Sequence, residues 1–299
     1  MIVLMSSTVF SSNKVSATSL DKSLDKFESV EKKVANDAND IMIGVQLWSV
    51  KDTLNKDFKG TIESLAKMGF SAVEFAGVFG EFERDPAGLK SYLSKVGLSV
   101  SGAHISFDAL SEDKIANTLK FYKALGANYL VIGWDERAWH PIEIHDFVAE
   151  LNHFYPLVSA AGFEFGFHNH AQEFNDFTPA QHGKRQTYWD FIATQTDPNM
   201  ILQLDIGWVN YAGKDPHHYV KTYQGRTLTT HYKVRTHKDE HKTPLLGKDG
   251  YDWLALFNLM RQVGGTKWVI VEQEEYPDGL SSLEAVAQSK AGLDKLLFN

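Results

Sequence analysis

The sequence predicts an α/β protein built as a (β/α)8 barrel, a TIM barrel, with an N-terminal extension. Three observations lead there. From Ile41 onward, short runs of β-branched and aromatic residues alternate with longer stretches of helical periodicity, the pattern of repeated strand–helix units around a parallel sheet. Eight such pairs fit into about 255 residues, the usual length of an eight-stranded barrel. The rival, a doubly wound open sheet, would place Gly-x-Gly-x-x-Gly after its first strand, and neither that turn nor a Walker loop is present.

Taken in order, strands are expected over 43–48, 72–76, 99–105, 129–134, 164–168, 201–205, 229–234 and 268–272. Helices are expected over 58–68, 86–96, 112–125, 142–161, 187–196, 217–223, 251–263 and 282–297. Gly69, Gly97, Gly126, Gly162 and Gly264 close helices ahead of the next strand, where a left-handed cap costs glycine least. Residues 1–40 differ in kind, being rich in Ser, Lys, Asp and Asn with no Gly or Pro, and the barrel domain is placed at 41–299. Within the extension, Leu20, Leu24, Phe27 and Val30 have helical spacing, so an amphipathic helix is expected over 19–35. Met1 to Phe10 is apolar, with Val15-Ser16-Ala17 resembling a cleavage site. Residues 1–17 therefore read either as the remnant of a signal peptide or as part of a disordered or loosely helical extension, and the compartment as cytoplasm or periplasm.

Composition narrows the chemistry. The chain has 299 residues and no cysteine, which excludes disulfides, thiolate metal clusters and a cysteine nucleophile. A formal net charge of −8 gathers neither nucleic acid nor anionic lipid. No apolar run reaches the roughly 20 residues needed to span a bilayer, so a soluble protein is expected. Oligomeric state stays open, a homo-oligomer included.

Barrel strands alternate between lumen and helices, and catalytic groups collect at their C-terminal ends. Period two turns Phe165 and Phe167 outward and Gly166, His168 and His170 inward on strand five. It turns Gln203 and Asp205 inward on strand six, Thr229, His231 and Lys233 on strand seven, and Ile270, Glu272 and Glu274 on strand eight. Gln46, Glu74 and His104 join them from strands one to three. Carboxylates and imidazoles crowded into one mouth need a neutralising charge, and a divalent metal supplies it. The expected ligands are His168, Asp205, His231 and Glu272, one from each of four consecutive strands. Nitrogen and oxygen donors without sulfur suit Mn, Co, Zn or Mg. Each residue also has a plainer role: a histidine hydrogen-bonded at a strand end, Asp205 capping a turn, Glu272 paired with Lys233. The conjunction of all four on one face favours the metal. His170 is a weaker candidate, Glu173 a supporting residue rather than a ligand, and His237 and His241 solvated loop residues.

These residues sit in motifs that carry a resemblance. Ile43-Gly-Val-Gln-Leu-Trp-Ser-Val, Val73-Glu-Phe-Ala-Gly, Ser101-Gly-Ala-His, Phe167-His-Asn-His-Ala-Gln-Glu-Phe and Leu204-Asp-Ile-Gly-Trp-Val follow one another at strands one, two, three, five and six. Gly225-Arg226 with His231-Tyr-Lys233, then Val271-Glu-Gln-Glu-Glu-Tyr, complete the series. In this order the chain resembles the sugar phosphate isomerase/epimerase family, the xylose-isomerase-like barrels that also include endonuclease IV. The resemblance implies that Asp205, His231 and Glu272 bind a divalent metal and that Glu272 acts as an acid/base. It departs at His168, where ketose 3-epimerases of the family place a glutamate as ligand and second base. It departs again at Trp208, where a histidine usually follows the strand-six aspartate.

The activity expected is that of a metal-dependent isomerase or epimerase acting on a sugar, keto-sugar or cyclitol by removing a proton next to a carbonyl. Glu272 or a nearby imidazole such as His168 takes the proton, and Lys233 holds an oxyanion or hydroxyl. Gln46, Glu74, His104 and His170 orient hydroxyls, and Trp48, Trp134 and Trp208 offer faces to the ring. A lyase or dehydratase on keto-sugars or 3-keto-glycosides shares the first step. An endonuclease IV-like phosphodiesterase would need a basic rim, against which Asp135-Glu136 and Asp239-Glu240 argue. A sugar-binding barrel without catalysis is the third class.

Overall fold

The computed structural model describes residues 41–177, 186–237, 243–277 and 279–298. The extension, with the helix expected over 19–35 and the segment 1–17, lies outside them, as do His241 and the Asp239-Glu240 pair. Eight parallel strands close into a barrel: β1 (Met42–Gln46), β2 (Ala72–Phe75), β3 (Ser99–Ile105), β4 (Tyr129–Ile132), β5 (Glu164–His168), β6 (Ile201–Asp205), β7 (Thr229–Tyr232) and β8 (Trp268–Val271). Each pairs with its sequence neighbours, and β8 returns to β1 through Met42 opposite Trp268.

Eight longer helices cover the outside: α1 (Phe58–Lys67), α2 (Pro86–Lys95), α3 (Ile115–Leu125), α4 (Ile144–Ala160), α5 (Tyr188–Gln195), α6 (Pro216–Thr222), α7 (Trp253–Leu259) and α8 (Ser282–Phe298). Their starts are written in side chains. Asp57, Asp85, Asp215 and Asp252 each accept a backbone N–H of the first turn, and Thr187 and Asp190 form a reciprocal box. Gly69, Gly97, Gly126 and Gly162 are left-handed, as expected. Gly264 is not. A wide π turn (Met260–Gly264) adds a residue after α7, so the reversal falls on Gly265 instead.

Several strands end one or two residues before the expected position. The first stops at Gln46, whose side-chain Oε1 accepts the backbone N–H of Trp48 and caps the 3-10 turn Leu47–Val50. Among the elements that were not expected are a helix directly after β6 (Ile206–Tyr211) and a ribbon pairing Asp176–Phe177 with Gln186–Thr187.

The lumen has two layers. Below, Ala72, Tyr129, Val131, Ile201, Trp268 and Ile270 make an apolar plug. Phe165, Phe167, Leu202 and Leu204 face outward into the larger core under the helices, as period two requires. The upper layer is polar and carries the candidate site.

Candidate active site

Glu74, on β2, is wholly buried where the apolar plug ends, and five groups converge on it. Gln46 Nε2 (2.6 Å) donates to Oε1, and Gln203 Nε2 (2.7 Å) and the Tyr129 hydroxyl (2.5 Å) donate to Oε2. His231 Nε2 lies 2.6 Å and His104 Nε2 3.3 Å from Oε1. Tyr129 reaches Glu74 because β3 carries Gly102 beside it, where any Cβ would collide with the phenol ring. Burial opposes the Glu74 charge, but His231, His104 and the hydrogen bonds overcome it and hold the carboxyl down at about 2.

His231, on β7, is the link to the barrel mouth. Its Nδ1 lies 2.8 Å from Glu272 Oε2, so the ring is clamped between two carboxylates. Burial acts against its charge, yet Glu74 and Glu272 raise it to about 10. Lys233 follows on the same face. Its Nζ donates to Glu272 Oε2 and Glu274 Oε2, each at 2.9 Å, and pairs by charge with Asp205 Oδ2 at 2.8 Å. Burial opposes the Glu272 charge, but Lys233 and His231 overcome it and hold the carboxyl well below the ordinary carboxylate range. Asp205 is raised to about 6, by burial first, with Lys233 opposing and the Glu272 charge adding to the rise.

Asp205 does two jobs. Oδ1 accepts the Trp208 N–H and caps the helix after β6, while Oδ2 faces Lys233. Asn169 ties the ends of β5 and β6 together by accepting the Asp205 N–H at 2.9 Å and donating to its carbonyl at 3.3 Å. His168 Nε2 lies 3.8 Å from Asp205 Oδ2, and its Nδ1 is 3.0 Å from Gln203 Oε1. Burial and the neighbouring histidines push His168 well below its ordinary range, and burial lowers His104 too.

One donor atom from each of His168, Asp205, His231 and Glu272 lies within 4.8 Å of all the others. Metal–ligand bonds of about 2.0–2.2 Å set ligand atoms roughly 3–4 Å apart, so small side-chain shifts would close the set on an ion. The charges agree: four carboxylates (Glu74, Asp205, Glu272, Glu274) face two cations, His231 and Lys233. A divalent ion fits both the donors and the surplus negative charge. His104 with His168 and His231 forms a second, overlapping group.

Beside this cluster opens a cavity of about 640 Å³ whose wall includes Trp48, His104, Trp134, His168, His170, Glu272 and Glu274. Trp134 meets the His170 ring edge-on at 4.5 Å, and Lys51 lies over the Trp48 ring at 3.3 Å.

The structure thus brings together the four expected ligands and lines the cavity with Trp48, His104, Trp134 and His170. Three residues stand elsewhere than the sequence suggested. Gln46 and Glu74 are fully buried, bonded to each other beneath the cluster and off the cavity wall. Trp208 has Arg235 at 4.4 Å over its ring and is not on the cavity wall, because the unexpected helix after β6 carries it to the side. Lys233 is committed to three carboxylates rather than free for an oxyanion. Glu173 is buried with Oε2 accepting the His170 N–H, and burial raises it to about 8. His237 is exposed and stacked on Tyr211 at 4.0 Å. Gln203, Tyr129 and Asn169 were missed as site residues. Gln203 had a signal, as a lone amide on the inward face of a buried strand, whereas Tyr129 reads as ordinary core.

The xylose isomerase-like TIM barrel family matches residues 62–296, and the chain belongs to it. It is similar to an inosose dehydratase of Lacticaseibacillus casei, 23% identical over 275 residues covering 79% of this chain and 89% of that protein. Among solved structures it is similar to a sugar phosphate isomerase/epimerase from Parabacteroides distasonis, with a TM-score of 0.70, 21% identity, and 85% and 93% of the two chains covered. A D-psicose 3-epimerase crystallised with D-fructose superposes with a TM-score of 0.60 at 15% identity, covering 87% of this chain and all of that one. Among the described residues no helix is long and apolar enough to cross a membrane.

Proposed function

We propose that the barrel, residues 41–299, is a divalent-metal-dependent enzyme that removes a proton next to the carbonyl of a keto-sugar or cyclitol. The observation that carries this is the convergence of His168, Asp205, His231 and Glu272 within 4.8 Å at the edge of a sugar-sized cavity. A divalent ion held by these four would withdraw charge from the carbonyl and its neighbouring hydroxyl, acidifying the C–H between them.

The protein's own residues supply the rest. Glu272 is the base: it stands on the cavity wall and is ionised at neutral pH through Lys233 and His231. A carboxylate so depressed is a weak acceptor, so it needs the acidified C–H that the site provides. Lys233 keeps Asp205 and Glu272 charged and aimed. Trp134 (54% exposed) and the side of Trp48 (43%) that Lys51 leaves uncovered meet a sugar, and His104 and His170 meet its hydroxyls.

A neutral imidazole at His168 gives no second carboxylate for proton exchange on the opposite face, which favours one-base chemistry. Returning the proton to the adjacent carbon gives an isomer. Expelling a β-hydroxyl gives a dehydrated product, a second reading favoured by His168 and by the likeness to an inosose dehydratase. Incubation with keto-sugars and inososes in deuterated water with manganese tests both. Label in recovered substrate or an isomer supports isomerisation, and an unsaturated product supports dehydration. Binding without label or elimination would refute catalysis and leave a sugar-binding barrel.

A further inference from the structure

We propose that the end of the barrel opposite the mouth carries a second ligand site, one that binds a small organic anion bearing phosphate or carboxylate groups. The site is independent of the metal cluster and of the chemistry at the mouth.

A cavity of about 630 Å³ lies beneath the lumen. Its wall runs from the starts of β4 and β5, at Asn128 and Glu164, to the starts of β7 and β8, at Leu228 and Lys267, so it spans the base from one side of the barrel to the other. Three lysines reach it: Lys90 from α2, Lys123 from α3 and Lys267 from just ahead of β8. Glu164 is the one acid on that wall among the described residues. A basic concavity of this kind stands out on a chain of formal net charge −8.

Two of the lysines also have a plainer role, because helices end here and their carbonyl ends are negative. The Lys90 ammonium lies over Gly126, where α3 ends, and that of Lys123 over Gly162, where α4 ends, donating to the Ala161 carbonyl oxygen at 3.2 Å. Two helix ends amount to about one negative charge. Glu164 adds a second, so three lysines still leave positive charge over. At the end of α1 the same arrangement is neutralised: Lys290 lies beside Gly69 and has Asp294 at 2.6 Å. Among the described residues, Lys90, Lys123 and Lys267 have no ion-pair partner.

Trp268, only 6% exposed, borders both this cavity and an adjoining one of about 240 Å³, and its indole N–H is buried without a hydrogen-bond partner. A leftover buried donor is the kind of group that a bound oxygen satisfies. Tyr155 and Ser159 of α4 add a ring and a hydroxyl to the wall. Aromatic surface beside unpaired ammonium groups suits an anion with a carbon body rather than a bare ion.

Calorimetric titration of metal-free, full-length protein with 3-phosphoglycerate, citrate and inorganic phosphate tests this. One of the two organic anions should bind, one per chain, more tightly than inorganic phosphate, and binding should weaken as salt screens the lysines. Lys90→Met and Lys267→Met remove ammonium groups that make no hydrogen bond among the described residues, so both variants should fold. Each should weaken binding by about 2–10-fold, the effect of losing an exposed charge pair against a doubly charged anion. The double variant should bind neither. Preference for 3-phosphoglycerate supports a phosphate-bearing ligand and preference for citrate a polycarboxylate. No binding of either at millimolar concentration in low salt, or binding unchanged in the double variant, would overturn the site. Inorganic phosphate binding as tightly as both would overturn the organic ligand.

Discussion

His231 Nδ1 and Glu272 Oε2 stand 2.8 Å apart at the barrel mouth with a proton between them, and that proton occupies a lone pair a metal would use. His231 is raised to about 10, so the ring carries both protons at neutral pH. Metal binding through Nδ1 must release about one proton per ion near pH 7.5, and affinity must rise with pH. Calorimetry in buffers of different ionisation enthalpy reads the proton count directly; a count of zero would remove His231 from the ligand set.

Glu74 orients His231 from beneath through the other ring nitrogen, at 2.6 Å. Replacing it by Gln keeps the shape and removes the charge. Glu74→Gln should weaken metal binding by about 10–100-fold, the usual effect of losing a carboxylate behind a histidine ligand. Titration with manganese in both proteins measures it.

For Glu272→Gln, exchange of substrate protons with solvent should fall by about 10²–10⁴-fold, the range of a lost general base. Circular dichroism should be unchanged, because the amide still fits beside Lys233. Exchange at the wild-type rate would defeat the assignment.

Glu173 is a pH-dependent liability. Burial raises its carboxyl from 4.5 to about 8, so the unfolded chain loses that proton first. Its contribution to stability is complete below pH 4.5 and is lost as pH rises through 8. The loss by pH 7 amounts to about 3 kcal/mol at most, from a shift of 1.36 kcal/mol per pH unit. Glu173→Gln should flatten the stability curve between pH 4.5 and 8, and denaturant midpoints across that range show whether it does.

Much of this was legible in the sequence, because a barrel strand buried on both sides still alternates. Phe165 and Phe167 against His168, and Leu202 and Leu204 against Gln203 and Asp205, declare their faces by polarity alone. The turn chemistry was legible at Gly69, Gly97, Gly126 and Gly162. At Gly264 it was not, because a π turn leaves no mark in residue spacing. Depth was the harder quantity. Gln46, Glu74, His104 and His231 all read as inward, yet Gln46 and Glu74 lie under the cluster while His104 reaches the cavity. Period two sets the face of a strand, whereas height in the lumen depends on barrel stagger, including the register shift between Val73 and Glu74. Trp208 was misplaced because Asp205 caps a helix that nothing in the pattern announced.

The account depends most on one cation caged by four side chains, and an anomalous-scattering map from manganese-loaded crystals tests it most directly. It predicts a single strong peak bonded at about 2.0–2.3 Å to His168, Asp205, His231 and Glu272, with Lys233 displaced from at least one carboxylate. No peak there at saturating manganese, with the Lys233 ammonium still between Asp205 and Glu272, would contradict it.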